Sequence, residues 1–258
     1  MKSCFISNGQ VKIHVLDNES AAQNLPPLLV AGGLWEPAER AMPILLGLSS
    51  HVVAFSFRGR GLSSTPETGY DLNDHLGDME AVVKGTGLTE YCVLGFSRGA
   101  TYALGWALGH QQDMRGLILV DQPPVHIRPG PGYVDFWSSL VYLNVPILNF
   151  MRREALEGLA RDALDVDFSS RLRQLNIPVK LFAGRNKEAK IPSDLTDEII
   201  ELYKKEIPNC DVVEFLHSGH MIPDEEQQKY LLQIDSFIKE IGKKHSFHEH
   251  IGLEHEKQ

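Results

Sequence analysis

Residues 91–99, YCVLGFSRG, join a short apolar run to a longer segment rich in alanine and leucine. Gly95, Ser97 and Gly99 form a G-x-S-x-G pattern between a predicted strand and a predicted helix over 98–110. A serine at such a tight turn adopts a strained backbone conformation that exposes its hydroxyl group. The residues two positions before and after it must be small, because the chain doubles back on itself there. The pattern therefore predicts a nucleophilic serine at position 97.

Apolar runs recur on both sides of this turn, and most are followed by a helical pattern. Several lack polar alternation, which is typical of strands that are covered on both faces. Strands that alternate with helices indicate βαβ units, so the predicted fold class is α/β with a doubly wound, mostly parallel sheet. Residues 12–16 do alternate, and we predict an antiparallel edge strand there. The apolar runs cover 28–31, 51–55, 91–94, 117–120, 179–183 and 212–216, and the predicted helices cover 72–84, 98–110, 196–205 and 225–241.

One long segment interrupts this alternation. Residues 122–176 open on a Pro/Gly-rich stretch and continue through aromatic patches, which predicts a small helical lid inserted after the sixth strand. The core that contains the sheet is then expected to consist of 1–121 and 177–241. Residues 242–258 are polar and histidine-rich, and are predicted to form a C-terminal tail.

Composition excludes several classes of function. The formal charge of −9 over 258 residues disfavours nucleic acids and anionic membranes as partners. The three cysteines form neither a disulfide framework nor a zinc-ligand spacing, and the tail histidines lack a fixed geometry for a metal. No P-loop or dinucleotide fingerprint is present, so no cofactor is predicted. Without a signal peptide or a run of about 18 apolar residues, we expect a cytoplasmic protein with no membrane span.

The motif and its surroundings resemble the α/β-hydrolase family over about residues 26–241. Residues 30–35, VAGGLW, stand where the family usually has a strand that ends in His-Gly. Residues 58–63, RGRGLS, are similar to the family's R-G-x-G-x-S loop. Residues 216–220, LHSGH, resemble the Gly-His that carries the family's catalytic histidine. The resemblance implies the α/β-hydrolase fold and a Ser-His-acid triad.

His220 is the predicted general base. Serine is a weak nucleophile and needs an adjacent base. His220 follows the last predicted strand, so it lies in a loop at the carboxyl edge of the sheet, where ligands bind in open α/β folds. His217 is the rival, but the resemblance favours His220 because it directly follows Gly219.

Two carboxylates are candidates for the third member of the triad. The family commonly places its acid after a glycine that ends the seventh strand, and the usual position here holds Lys187, which cannot orient an imidazole. Glu188 stands one residue further on, and Asp121 stands at the end of the preceding strand, from which some similar hydrolases take their acid. Either one can accept the Nδ1 proton of His220. Glu188 is favoured narrowly.

The predicted oxyanion hole consists of backbone amides. Arg98 follows the nucleophile at a helix N-terminus, where the helix dipole adds positive potential. The second amide is expected from Gly33 or Leu34, and Trp35 is a candidate for lining the substrate pocket.

This set of residues predicts hydrolysis of a carboxylic ester, a thioester or a lactone through an acyl-enzyme. The apolar 122–176 segment suggests a small-molecule substrate that is partly apolar. Two alternatives stay open. One is carbon–carbon bond hydrolysis or perhydrolysis on the same fold, and the other is a small-molecule binding or signalling protein with slow turnover or none.

Overall fold

The computed structural model describes residues 1–22 and 24–255, and side chains as far as Lys243. Its centre is an eight-stranded sheet with the strand order β1-β2-β4-β3-β5-β6-β11-β12. The β1–β2 and β2–β4 pairs are antiparallel and the other five pairs are parallel, which confirms the predicted fold class. The strands are β1 (Lys2–Asn8), β2 (Val11–Asp17), β3 (Leu28–Ala31), β4 (Val52–Phe55), β5 (Tyr91–Phe96), β6 (Met114–Val120), β7 (Val125–His126), β8 (Val141–Tyr142), β9 (Val145–Pro146), β10 (Val166–Asp167), β11 (Val179–Gly184) and β12 (Cys210–Phe215).

Helices cover both faces of this sheet. Apolar side chains of α2, α3 and α6 pack on one face, and those of α1 and α8 pack on the other. The strands that run without polar alternation are therefore buried on both sides, as parallel strands require. The helices are α1 (Met42–Gly47), α2 (Leu72–Thr86), α3 (Arg98–His110), α4 (Tyr133–Ser139), α5 (Arg153–Asp162), α6 (Asp197–Glu206), α7 (Ile222–Glu225) and α8 (Gln227–His255), with short 3₁₀ turns at Ala38–Ala41, Gln111–Asp113, Ile147–Asn149 and Ser169–Gln174.

The predicted edge strand lies inside the sheet. Residues 12–16 belong to β2, which is flanked by β1 and β4. The true edge is β1, whose side chains are exposed or half-buried throughout. Its polar sequence, KSCFISN, did not stand out as an apolar run, and so this strand was not predicted.

The 122–176 segment leaves the sheet after β6 and returns to it at β11. It holds the helices α4 and α5 and two small two-stranded sheets, β7–β10 and β8–β9. Its role as a lid stays a prediction. The predicted tail begins within α8, which runs to His255, while residues 256–258 lie outside the described part of the chain. Within the ranges given above, none of the helices has both the length and the apolar character that crossing a membrane requires.

Candidate active site

Ser97 occupies the sharp turn between β5 and α3. Its backbone has a φ of 52° and a ψ of −129°, a conformation that non-glycine residues rarely adopt. The turn is held in place by the hydrogen bond that the Ser97 amide donates to the carbonyl of Val120, at 2.9 Å. The strain is therefore stored where the predicted nucleophile lies.

The two glycines of the motif permit close backbone contacts around this turn. A Cβ atom on Gly99 would lie 2.3 Å from the carbonyl oxygen of Gly32, and one on Gly95 would lie 2.6 Å from the Cα of Ala100. These distances are far below van der Waals contact. Both positions therefore require glycine for steric reasons, as the motif predicted.

His220 lies against the Ser97 hydroxyl. The loop that carries it follows β12 and is fixed by the hydrogen bond from the His220 amide to the carbonyl of Ile191, at 2.8 Å. The His220 Nε2 atom is 2.8 Å from the Ser97 Oγ, within hydrogen-bond distance. The rival histidine, His217, is exposed, and its amide donates to Glu226 instead.

Asp121 holds the other side of the imidazole. The His220 Nδ1 atom is 2.8 Å from the Asp121 Oδ2, and the Asp121 side chain is fully buried. The same carboxylate also accepts hydrogen bonds from the Gly184 amide at 3.0 Å, the Ser193 hydroxyl at 2.5 Å and the Asp194 amide at 3.1 Å. Four donors satisfy a buried carboxylate, and they fix its orientation toward His220.

The narrow preference for Glu188 needs correction on this geometry. Glu188 is exposed, and its backbone amide donates to the Asn186 side chain at 3.0 Å. The loop after β11 turns the Glu188 side chain toward solvent, while Asp121 projects from the end of β6 into the interior. Of the two predicted carboxylates, the structure brings only Asp121 to His220.

A further carboxylate near His220 was not predicted. The Asp194 Oδ2 atom lies 3.4 Å from the His220 Nδ1. Asp194 stands two residues after Pro192, in the same loop as Glu188. The loop carries two acidic residues at the carboxyl edge of the sheet, and the spacing from the glycine pointed only to the first of them, Glu188.

These neighbours change the basicity of His220. Burial of the imidazole acts to lower its pKa, but the hydrogen bond and charge of Asp121, with the charges of Asp194 and Glu36, raise the pKa above its usual value of 6.5. A higher pKa makes the neutral imidazole a stronger base toward the Ser97 hydroxyl.

The amides predicted for the oxyanion hole differ in whether they already have a hydrogen-bond acceptor within the protein. The Gly33 amide donates to the Glu36 Oε2 at 3.0 Å, so it is already engaged. The structure assigns no acceptor to the Leu34 amide among the described residues. The Arg98 amide lies in the first turn of α3, where amides have no partner within the helix. Glu36 was not predicted. It is buried, and burial raises the pKa of its carboxyl group.

A cavity of about 360 Å³ opens in front of Ser97 and His220. Its walls are largely apolar, and several come from the 122–176 segment. Trp35, the predicted pocket residue, lines it and packs against Tyr142 with ring centroids 5.3 Å apart. Other apolar lining residues are Leu34, Phe96, Tyr133, Phe136, Trp137 and Leu140.

Among the described residues, no three His, Cys, Asp or Glu side chains lie together in a way that could bind a metal ion. The absence of a cofactor stays a prediction.

The chain is similar to several known hydrolases. It is 25% identical over 224 residues to the AB hydrolase superfamily protein YisY of Bacillus subtilis, which covers 74% of this chain and 80% of the relative. It is 28% identical over 210 residues to the N-formylmaleamate deformylase of Pseudomonas putida, with 70% of this chain and 76% of the relative covered. The fold is similar to that of an esterase from Exiguobacterium antarcticum, with a TM-score of 0.74, 19% identity and coverage of 92% of this chain and 100% of the other.

The sequence profile of the Alpha/beta hydrolase family matches residues 28–232. This span contains Ser97, Asp121 and His220. It also contains all six strands that pair in parallel. The chain therefore belongs to the alpha/beta hydrolase family.

Proposed function

We propose that the protein is a serine hydrolase in which Ser97, His220 and Asp121 form the catalytic triad. The observation that carries the proposal is the continuous hydrogen-bonded chain from the Ser97 Oγ through His220 to the Asp121 Oδ2, with both contacts at 2.8 Å. The substrate is a carboxylic ester, a thioester or a lactone. The cytoplasm stays the predicted location.

The first half of the reaction forms an acyl-enzyme. The Ser97 oxygen attacks the carbonyl carbon while its proton moves to the His220 Nε2. The amides of Arg98 and Leu34 donate to the oxyanion of the tetrahedral intermediate. His220 then gives its proton to the leaving alcohol or thiol as the carbon–oxygen or carbon–sulfur bond breaks. In the second half, water attacks the acyl carbon while His220 takes its proton. His220 then returns the proton to the Ser97 oxygen as the acid is released.

Asp121 acts through His220. It accepts the Nδ1 proton, so it selects the tautomer whose Nε2 is free to take the serine proton, and it stabilises the imidazolium that forms. Its four hydrogen bonds hold the buried carboxylate in a fixed orientation toward His220. The assembled chain favours an enzyme over a binding protein, which needs no activated serine.

Cleavage of an N-acyl group is the second candidate. It is supported by the similarity to the N-formylmaleamate deformylase. The same residues serve this reaction, because His220 can protonate a leaving nitrogen as well as a leaving oxygen. Carbon–carbon bond hydrolysis and perhydrolysis remain the further alternatives on this site.

Labelling with a fluorophosphonate probe tests the proposal, read by intact mass on the wild type and on Ser97→Ala. We expect one adduct on the wild type and none on the variant. A panel of 4-nitrophenyl esters, a thioester, a lactone and an N-formyl amide then ranks the bonds that are cleaved. A folded wild type that resists both this probe and a smaller sulfonyl fluoride, and that cleaves none of the panel, would overturn the proposal in favour of a binding protein.

A further inference from the structure

In the part of the chain that the structure describes, no carboxylate pairs with the charged side chain of Arg98. It lines the cavity beside Ser97. Its Nε donates to the Tyr102 hydroxyl at 3.0 Å, and its Nη1 donates to the carbonyl of Ile127 at 3.2 Å. Its Nη2 lies 3.3 Å from the His126 Nε2. Among the described residues, all of its partners are formally neutral groups.

His126 contacts the guanidinium as a neutral ring. Burial and the neighbouring charge of Arg98 lower the pKa of His126 to about 3, so the ring is neutral at physiological pH. Its Nδ1 lies 3.1 Å from the Thr101 hydroxyl, which itself donates to the Arg98 carbonyl. This network assigns the proton to Nδ1 and leaves Nε2 as an acceptor for the guanidinium.

A second arginine, Arg60, lies close enough to Arg98 for their positive charges to interact. Arg60 is fully buried, and its guanidinium donates to the carbonyls of Leu34 and Arg58 rather than to a carboxylate. Burial lowers the pKa of Arg60, and the charge of Arg98 contributes in the same direction. Arg58 shows the usual arrangement, because its Nη2 pairs with the buried Asp78 at 2.6 Å. Buried charges are normally paired in this way.

Tyr133 presents an unused hydrogen-bond donor at the same cavity. Its hydroxyl is buried and has no hydrogen-bond partner among the described residues, although Tyr133 lines the cavity. Burial raises the pKa of Tyr133 to about 12, against the effect of the nearby Arg98, so the hydroxyl keeps its proton. A buried polar atom without a partner costs free energy unless a ligand satisfies it.

We propose that Arg98 and Tyr133 bind a carboxylate group of the substrate, which makes the preferred substrate an anionic acyl compound. An arginine fork and a phenolic donor are the groups that recognise a carboxylate. The cavity places this carboxylate in the same space as the bond that Ser97 attacks. The cleavage part of this statement rests on the proposed function, whereas the binding part does not.

A purely structural role for Arg98 makes a different prediction. If the side chain only fastened the 122–176 segment through the Ile127 carbonyl, its removal would slow all substrates alike and lower the melting temperature. If Arg98 binds a carboxylate, its removal instead changes the ratio of the kcat/KM values for an anionic substrate and its neutral isostere. The ratio is therefore the informative measurement.

The kinetic test compares 4-nitrophenyl hydrogen glutarate with the neutral 4-nitrophenyl 5-methylhexanoate, which has the same shape. We expect Arg98→Gln to reduce the ratio of the two kcat/KM values by about 10- to 100-fold, mostly through KM for the anionic ester. Tyr133→Phe reduces it less, and Arg98→Lys restores part of it. Arg128→Gln is the matched control, because Arg128 is an exposed arginine of the same segment that also donates to a backbone carbonyl, that of Ala160 at 3.3 Å, but does not line the cavity.

A binding test avoids any dependence on turnover. Calorimetry on Ser97→Ala measures monomethyl glutarate against dimethyl glutarate, and then repeats both on Ser97→Ala combined with Arg98→Gln. We expect the monoanion to bind more tightly, and the preference to vanish in the double variant. Equal affinity for both ligands, or a preference that survives without Arg98, overturns the carboxylate site. A positive result here with no cleavage of any ester would overturn the proposed function and leave the site intact.

Discussion

The turn after β5 and the loop after β11 lie at the same edge of the sheet, yet they hold their polar residues very differently. In the turn, Ser97 is fixed between two glycines that pack against backbone atoms. In the loop, between Gly184 and Asp197, Glu188 is exposed to solvent and Asp194 reaches His220 at 3.4 Å. Packing over a few residues determines a side chain's direction in the turn. In the loop, the direction depends on how the whole loop folds back.

Asp121 belongs with the turn rather than with the loop. It directly follows β6, its amide donates to the carbonyl of Phe182 at 2.9 Å, and its side chain is fully buried. The loop after β11 contributes only donors to it, through Ser193 and the Asp194 amide. The comparison therefore predicts that substitutions at strand ends disturb the chemistry far more than substitutions in the loop.

The largest expected effect comes from Asp121→Asn. An amide cannot stabilise the imidazolium and favours the wrong tautomer of His220, so kcat/KM should fall by about 10⁴-fold. Steady-state kinetics on an ester of the panel measures the loss. Thermal unfolding serves as the control for folding, since the substitution also removes a charge that four donors satisfy. A loss below tenfold in a folded variant would mean that another carboxylate, with Asp194 the nearest, supports His220.

The next effect concerns the packing of the turn. Gly99→Ala places a methyl group 2.3 Å from the Gly32 carbonyl oxygen, so the backbone must shift. We expect unfolding free energy to fall by about 1–3 kcal/mol, together with most of the activity. Gly109→Ala is the matched control in the same helix, because nothing lies within 4 Å of a Cβ atom there. That change should raise stability by up to about 1 kcal/mol. Equal responses in chemical denaturation would show that the turn is not tightly packed.

The sequence predicted what local packing controls. The six predicted apolar runs overlap the six strands that pair in parallel, and the G-x-S-x-G pattern predicted the turn between β5 and α3 where Ser97 lies. His220 was predicted from its place after the last strand and after Gly219, and its Nε2 atom lies 2.8 Å from the Ser97 Oγ. All three rest on short stretches in which neighbouring residues leave the backbone few alternatives.

What depended on distant parts of the chain was not predictable in the same way. The choice between Asp121 and Glu188 depends on where the loop after β11 turns, which spacing from a glycine does not determine. The role of Glu36, whose carboxylate takes the Gly33 amide, requires a side chain to fold back over three residues. The unbalanced charge of Arg98 depends on which groups surround its side chain in space. The sequence does not show that these groups are all neutral.

A smaller effect is expected from Asp194→Asn on the pH profile. His220 must be neutral to accept the serine proton, and its pKa is raised above 6.5, so activity should fall as the pH drops through that raised value. The charge of Asp194 contributes to the raised pKa, after burial and the effects of Asp121. Removing it should move the acidic limb of kcat/KM to lower pH, and only slightly, because the Asp194 side chain is 56% exposed to solvent. A limb that stays in place or moves upward contradicts this assignment, and Lys190→Gln in the same loop controls for a general change in charge.

The smallest effect is expected from Glu188→Gln, which tests the loop directly. Glu188 is exposed, and its side chain has no hydrogen-bond partner among the described residues, so the substitution removes a charge but no hydrogen bond. Exposed substitutions of this kind change free energies by at most about 0.5 kcal/mol, which corresponds to roughly a twofold change in kcat/KM. The measurement is most informative in the Asp121→Asn background. If the loop moves over bound substrate and Glu188 replaces Asp121 as the partner of His220, then Glu188→Gln in that background lowers kcat/KM by a further large factor. If the loop holds its conformation, the double variant retains the activity of Asp121→Asn, because a side chain directed to solvent has no path to the imidazole.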